Sequence, residues 1–72
     1  MKDITYGYVA ELVKDNRTWY LYEYNGEVKL VEEVDYSCFF NSLARLYSEL
    51  KKVPFIQFYK VTYKKAEMQI KW

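Results

Sequence analysis

Cys38, the acidic run Glu32, Glu33 and Asp35, and the tyrosines Tyr20, Tyr22 and Tyr24 are the residues from which chemistry or recognition could be built. Cys38 is the sole cysteine and falls in the first turn of a predicted helix, a place that lowers a thiol pKa. A cysteine nucleophile also wants a base near neutral pH, and the sequence has no histidine to supply one. A small buried side chain is therefore the reading for Cys38. Glu32 and Glu33 point to opposite faces of a strand and do not converge on a cation, while Asp35 suits a helix N-cap. The clustered cysteine and histidine ligands of zinc sites are missing. Gly7 and Gly26 are isolated and form no phosphate-cradling loop. The expectation is a protein without catalytic residues, metal, cofactor or small-molecule substrate.

Recognition has more to work with. Nine of the 72 residues are tyrosine, a side chain that offers rigid contact area and a hydroxyl, as interface cores use. Tyr20, Tyr22 and Tyr24 alternate along one strand, and hairpin pairing sets Lys29 and Val31 beside them. These five form the candidate protein-binding face, since a monomer seldom exposes an extended apolar patch. The aromatic run Phe55–Tyr63 is a second candidate, as a sheet edge that takes up another protein or a second copy of the chain. The third candidate is a single-stranded nucleic-acid site. Tyr59, Lys60, Tyr63, Lys64 and Lys65 interleave stacking platforms with cations, with Phe58, Lys71 and Trp72 nearby.

Net charge is +1, but residues 1–36 carry four basic against eight acidic side chains, and residues 37–72 carry seven basic against two acidic. Such asymmetry can steer a charged partner, though it falls short of the basic footprint of a nucleic-acid protein. Arginine, on which groove readers lean, occurs only at Arg17 and Arg45.

The elements that must position these residues are legible from turn chemistry and period. Asn25-Gly26 supplies the positive φ angles of a type I′ turn between Thr18–Tyr24 and Glu27–Val34. The turn sets Tyr24 opposite Glu27, Glu23 opposite Val28, Tyr22 opposite Lys29, Leu21 opposite Leu30 and Tyr20 opposite Val31. Asp15-Asn16 marks a second turn after Ile4–Lys14, pairing Val13 with Thr18, Leu12 with Trp19 and Ala10 with Leu21. Both hairpins select the same apolar face, and a slip of one residue would invert it. Residues 36–52 change to helical spacing, with Tyr36, Phe39, Phe40, Leu43, Leu46, Tyr47 and Leu50 on one stripe, Asp35 as N-cap and Val53-Pro54 as stop. Phe55–Tyr63, a charged turn at Lys64–Glu67 and Met68–Trp72 then read as two further strands.

The sequence thus predicts a single α+β domain: an antiparallel sheet with one helix on one face, in the order β-β-β-α-β-β. Three strands followed by a helix over residues 5–50 resemble, in element order, the small arm-site DNA-binding domains of phage-type integrases. That resemblance implies DNA recognition by the sheet, where Glu11, Glu23 and Glu27 here stand in place of arginine and lysine. One cysteine excludes an internal disulfide, and no run reaches the ~20 apolar residues of a membrane span. The expectation is a cytoplasmic, non-enzymatic binding protein, such as a phage or mobile-element inhibitor that docks on a host protein in the host cytoplasm. A single-stranded nucleic-acid binder and a structural homo-oligomer, for example a homodimer, are the other two functions the sequence allows.

Overall fold

The computed structural model describes residues 2–71, and the side chains of residues 7–65. Four strands, β1 (Lys2–Lys14), β2 (Arg17–Tyr24), β3 (Glu27–Val31) and β4 (Lys60–Lys71), form one sheet in the spatial order β3-β2-β1-β4. Every neighbouring pair is antiparallel. A single helix, α1 (Leu43–Leu50), covers one face, and short 3-10 turns at Tyr36–Cys38 and Ile56–Phe58 flank it. The α+β class and the one-helix, antiparallel architecture are those predicted.

Turn chemistry sets the register. Asn25 and Gly26 take φ of 50° and 82°, and the Gly26 N–H donates to Glu23 Oε2 at 2.9 Å. All five β2–β3 pairs fall where the type I′ turn puts them. Asp15 and Asn16, at φ 54° and 63°, make the first hairpin the same way, with Leu12 opposite Trp19 and Val13 opposite Thr18. Ala10, Leu12 and Leu21 therefore point to one side, where they are buried with Phe40, Leu46, Leu50 and Val53. At roughly 25 cal/mol per Å² of apolar surface, this cluster is the main stabilising element of so small a domain.

Two predicted elements differ. The helix expected over residues 36–52 begins only at Leu43, where the Ser42 hydroxyl accepts from the Arg45 N–H at 3.2 Å. Asp35 does act as a cap, but of the 3-10 turn Tyr36–Cys38, its carboxylate accepting from the Tyr36 N–H. Between the two, Phe40 exchanges backbone hydrogen bonds with Tyr8 at 2.8 and 2.9 Å, taking the place on β1 from which β2 has parted after Tyr20. The spacing of Phe39 and Phe40 mimics a helical stripe, but the Phe39 N–H closes the 3-10 turn onto the Tyr36 carbonyl and a β-bridge claims the backbone of Phe40. Leu43, expected in the core, is only half-buried.

The second difference lies at the C-terminal end. Phe55–Phe58 is a turn and not a strand, and no turn interrupts Lys64–Glu67. One strand, β4, pairs with β1 without a break from Val13↔Lys60 to Lys2↔Lys71. Lysines suit an edge strand, and Lys64 Nζ reaches the β1 carboxylate Glu11 Oε2 at 3.0 Å, so the charged tetrapeptide stays extended. Residues 60–63 are thereby at a sheet edge. The predicted alternation of Met68, Ile70 and Trp72 lies outside the described side chains.

The chain leaving β3 returns over the sheet face opposite α1. Val9 alternates away from Ala10 and Leu12 yet is buried, as is Cys38, and the turn Tyr36–Cys38 lies against β1 and β2. Gly7 makes this crossing feasible. A Cβ there would sit 3.0 Å from the Phe40 carbonyl oxygen and 3.1 Å from Phe39 Cβ. Gly7→Ala is expected to destabilise by about 1–3 kcal/mol, as overpacking does, because one obstructing atom is backbone. Equilibrium urea denaturation checks this, and an unchanged midpoint would show that the crossing can retreat freely.

Candidate functional site

Tyr20, Tyr22, Tyr24, Lys29 and Val31 do share a face, as the observed register requires. The Lys29 ammonium lies 4.8 Å from the centre of the Tyr22 ring, a cross-strand cation–π contact. The returning segment limits what this face can offer. Tyr20, Tyr22 and Val31 are half-buried, and only Tyr24, at 60% exposure, and Lys29 stand open. Of the three ladder tyrosines, Tyr24 alone is exposed.

The residues chosen for nucleic acid are divided between two faces. Pairing of Val13 with Lys60 and Val9 with Lys64 places those lysines on the tyrosine side, whereas Tyr63, opposite Ala10, faces the helix. Tyr63 meets Tyr47 of α1 edge to face at 4.9 Å, and Tyr59 meets Trp19 at 5.7 Å. Lys65 is exposed opposite Tyr8. Glu11 engages Lys64, and that carboxylate holds the ammonium pKa above its ordinary value. No one surface gathers all five.

The most concentrated apolar exposure lies elsewhere. Phe55 adopts φ 60°, ψ 30°, a left-handed conformation that a bulky side chain rarely takes. The turn Ile56–Phe58 follows, with the Phe58 and Tyr59 N–H groups donating to the carbonyls of Phe55 and Ile56. Phe55 and Phe58 consequently point into solvent, 68% and 60% exposed, their rings 6.2 Å apart. The Lys14 ammonium sits 5.8 Å from the Phe58 ring centre and 5.5 Å from that of Tyr59. Tyr59 passes the run on to Trp19, over which the Arg17 guanidinium lies at 5.2 Å. Beside this strip, Val28, Lys29, Leu30, Val53, Pro54 and Tyr59 line a groove of about 300 Å³.

Sequence pattern does not assemble this cluster. Read as a strand, Phe55 and Phe58 fall on opposite faces, and no residue type marks Phe55 for positive φ. Lys14 and Trp19 lie in the other half of the chain and join only through tertiary contact.

Cys38 is fully buried, its Sγ accepting the Asp35 N–H at 3.4 Å. Burial pushes the thiol pKa up and the nearby Asp35 carboxylate adds to the shift, against the opposing effect of that hydrogen bond. A protonated, enclosed sulfur is a poor nucleophile. Because the folded value is raised, the thiol's contribution to stability is complete below the unfolded-chain pKa and is lost as pH rises through the folded one. Native protein should resist thiol reagents near neutral pH, and its stability should fall across the alkaline thiol range more than that of Cys38→Ala. Rapid labelling of folded protein would contradict the burial.

Among the described residues, no group of three or more cysteine, aspartate or glutamate side chains converges on a metal-sized site, and no helix is long and apolar enough to cross a membrane. Comparison with family models, with curated proteins and with solved structures gives no match to this chain.

Proposed function

We propose that this chain is a small non-enzymatic protein-binding module that docks through the aromatic turn Phe55–Phe58 and the groove beside it. One observation carries the reading: two adjacent phenylalanines are held in solvent by a strained left-handed residue, next to an apolar groove. Exposed apolar side chains at a rigid turn, rimmed by Lys14 and Lys29, have the make-up of an interface core with a polar rim. Backbone strain costing on the order of 1 kcal/mol persists at such positions where it serves a purpose. A domain this small acts by occupancy, covering what it binds, which is how an inhibitor of another protein's surface would work.

The experiment is affinity capture from the producing cell with wild type and with Phe55→Ala/Phe58→Ala as matched baits. The partner should be retained by the first and lost from the second. A parallel titration with a labelled random single-stranded oligonucleotide discriminates the nucleic-acid function. Salt-sensitive binding at physiological ionic strength, weakened by Lys64→Glu/Lys65→Glu, would replace docking with nucleic-acid recognition.

A further inference from the structure

We propose that the chain forms a two-fold dimer through the outer edge of β4, with the two β4 strands antiparallel and the axis at Ala66. The proposal is independent of docking at the aromatic turn. It starts from a ribbon without support. Hydrogen-bonded pairing of β1 with β2 runs only from Glu11 to Lys14, and Phe40 bridges β1 at Tyr8. Beyond that point, β1 and β4 continue together as Lys2–Gly7 against Ala66–Lys71, with no third strand on either side among the described residues. Two-stranded ribbons are marginal on their own, and three or more strands are needed for independent stability.

The outer edge of β4 is a ready template. Its 12 residues contain no proline, and their register with β1 holds throughout without a bulge, so two devices that blunt edges are missing. Lysine is the device present, and lysine also selects the occupant and the register. In a continuous sheet built about a two-fold axis, the residue on the axis faces its own copy. Lys64, Lys65 or Glu67 there would set like charges opposite each other, which is destabilising. Ala66 is the uncharged position in this central stretch. With Ala66 on the axis, Lys65 of each copy falls opposite Glu67 of the other, giving two opposite-charge pairs, and the overlap spans residues 61–71 of both strands.

This register supplies what each ribbon lacks. The Glu67–Lys71 half of one β4 lies against the Val61–Lys65 half of the other, which is backed by its own β1. The result is one eight-stranded sheet, β3-β2-β1-β4 continuing into β4-β1-β2-β3 of the second copy.

Light scattering across a concentration series, with an Ala66→Cys crosslink, tests the proposal. Wild type should have the mass of a dimer at micromolar concentration, and Lys65→Glu should weaken association about tenfold through two like-charge pairs. Glu67→Lys should do likewise, and the double swap Lys65→Glu/Glu67→Lys should restore the dimer. Under mild oxidation Ala66→Cys should link to its own copy, since directly paired strand residues lie within disulfide reach; the enclosed Cys38 does not compete. A monomer at every concentration would overturn the proposal. So would a dimer that Ala66→Cys fails to crosslink, or one dissociated by Phe55→Ala/Phe58→Ala and indifferent to Lys65→Glu.

Discussion

Leu46→Ala is expected to remove about 2–5 kcal/mol of stability, the range for a leucine truncated in a closed core. Leu46 is completely buried and belongs to the cluster through which α1 meets Leu12, Leu21 and Phe40. At ~0.05–0.15 kcal/mol per residue, a 72-residue domain has only about 4–11 kcal/mol in total. The loss is therefore a large share of the whole. Each kcal/mol moves Tm by roughly 4–8 °C in domains of this size, so the melting temperature should fall by at least ~8 °C or the cooperative transition should vanish. Leu43→Ala, at a half-buried position one turn earlier, should cost clearly less. Equal losses would mean that the whole stripe is enclosed, as a longer helix would have it.

The second large effect concerns Phe55 and Phe58, and it separates binding from folding. Replacing both by alanine removes the two largest exposed apolar side chains of the turn while leaving the buried cluster intact. Aromatic anchors at interface centres typically cost 2 kcal/mol or more when truncated, so joint loss should weaken partner affinity by at least ~30-fold. Stability should hardly move. Phe55→Gly sharpens the contrast, because glycine adopts φ 60° without the Cβ penalty. That variant should be as stable as wild type or more so while binding worse. A fall in stability would show instead that the Phe55 ring is a structural prop.

Much of the fold is legible in the sequence for identifiable reasons. Asn25-Gly26 and Asp15-Asn16 dictate local backbone geometry, and alternation about Leu12 and Leu21 then leaves one register per hairpin. The long β4 is less legible, because Lys64–Glu67 has the composition of a turn and is kept extended by pairing with β1 and by Glu11. The boundary of α1 is obscured by Phe39 and Phe40, whose spacing fits a helix while the Phe39 N–H closes the 3-10 turn onto Tyr36 and Phe40 pairs with Tyr8. Asn41-Ser42 before Leu43 was the available signal, as an N-cap close to the observed start. Of the candidate site, the tyrosine face is visible from pairing alone. Its partial closure is not, because it depends on where residues 32–41 return across the sheet. The aromatic turn was the least legible part, since it rests on a left-handed phenylalanine and on contacts with Lys14 from the far end of the chain.

The most direct test of the docking account is quantitative capture with four folded baits: wild type, Phe55→Ala/Phe58→Ala, Tyr24→Ala and Lys64→Glu/Lys65→Glu. The account predicts one protein partner retained by wild type, Tyr24→Ala and the lysine variant alike, and lost from the double phenylalanine variant. Retention by the phenylalanine variant, with loss from Tyr24→Ala, would contradict it and return the interface to the tyrosine face.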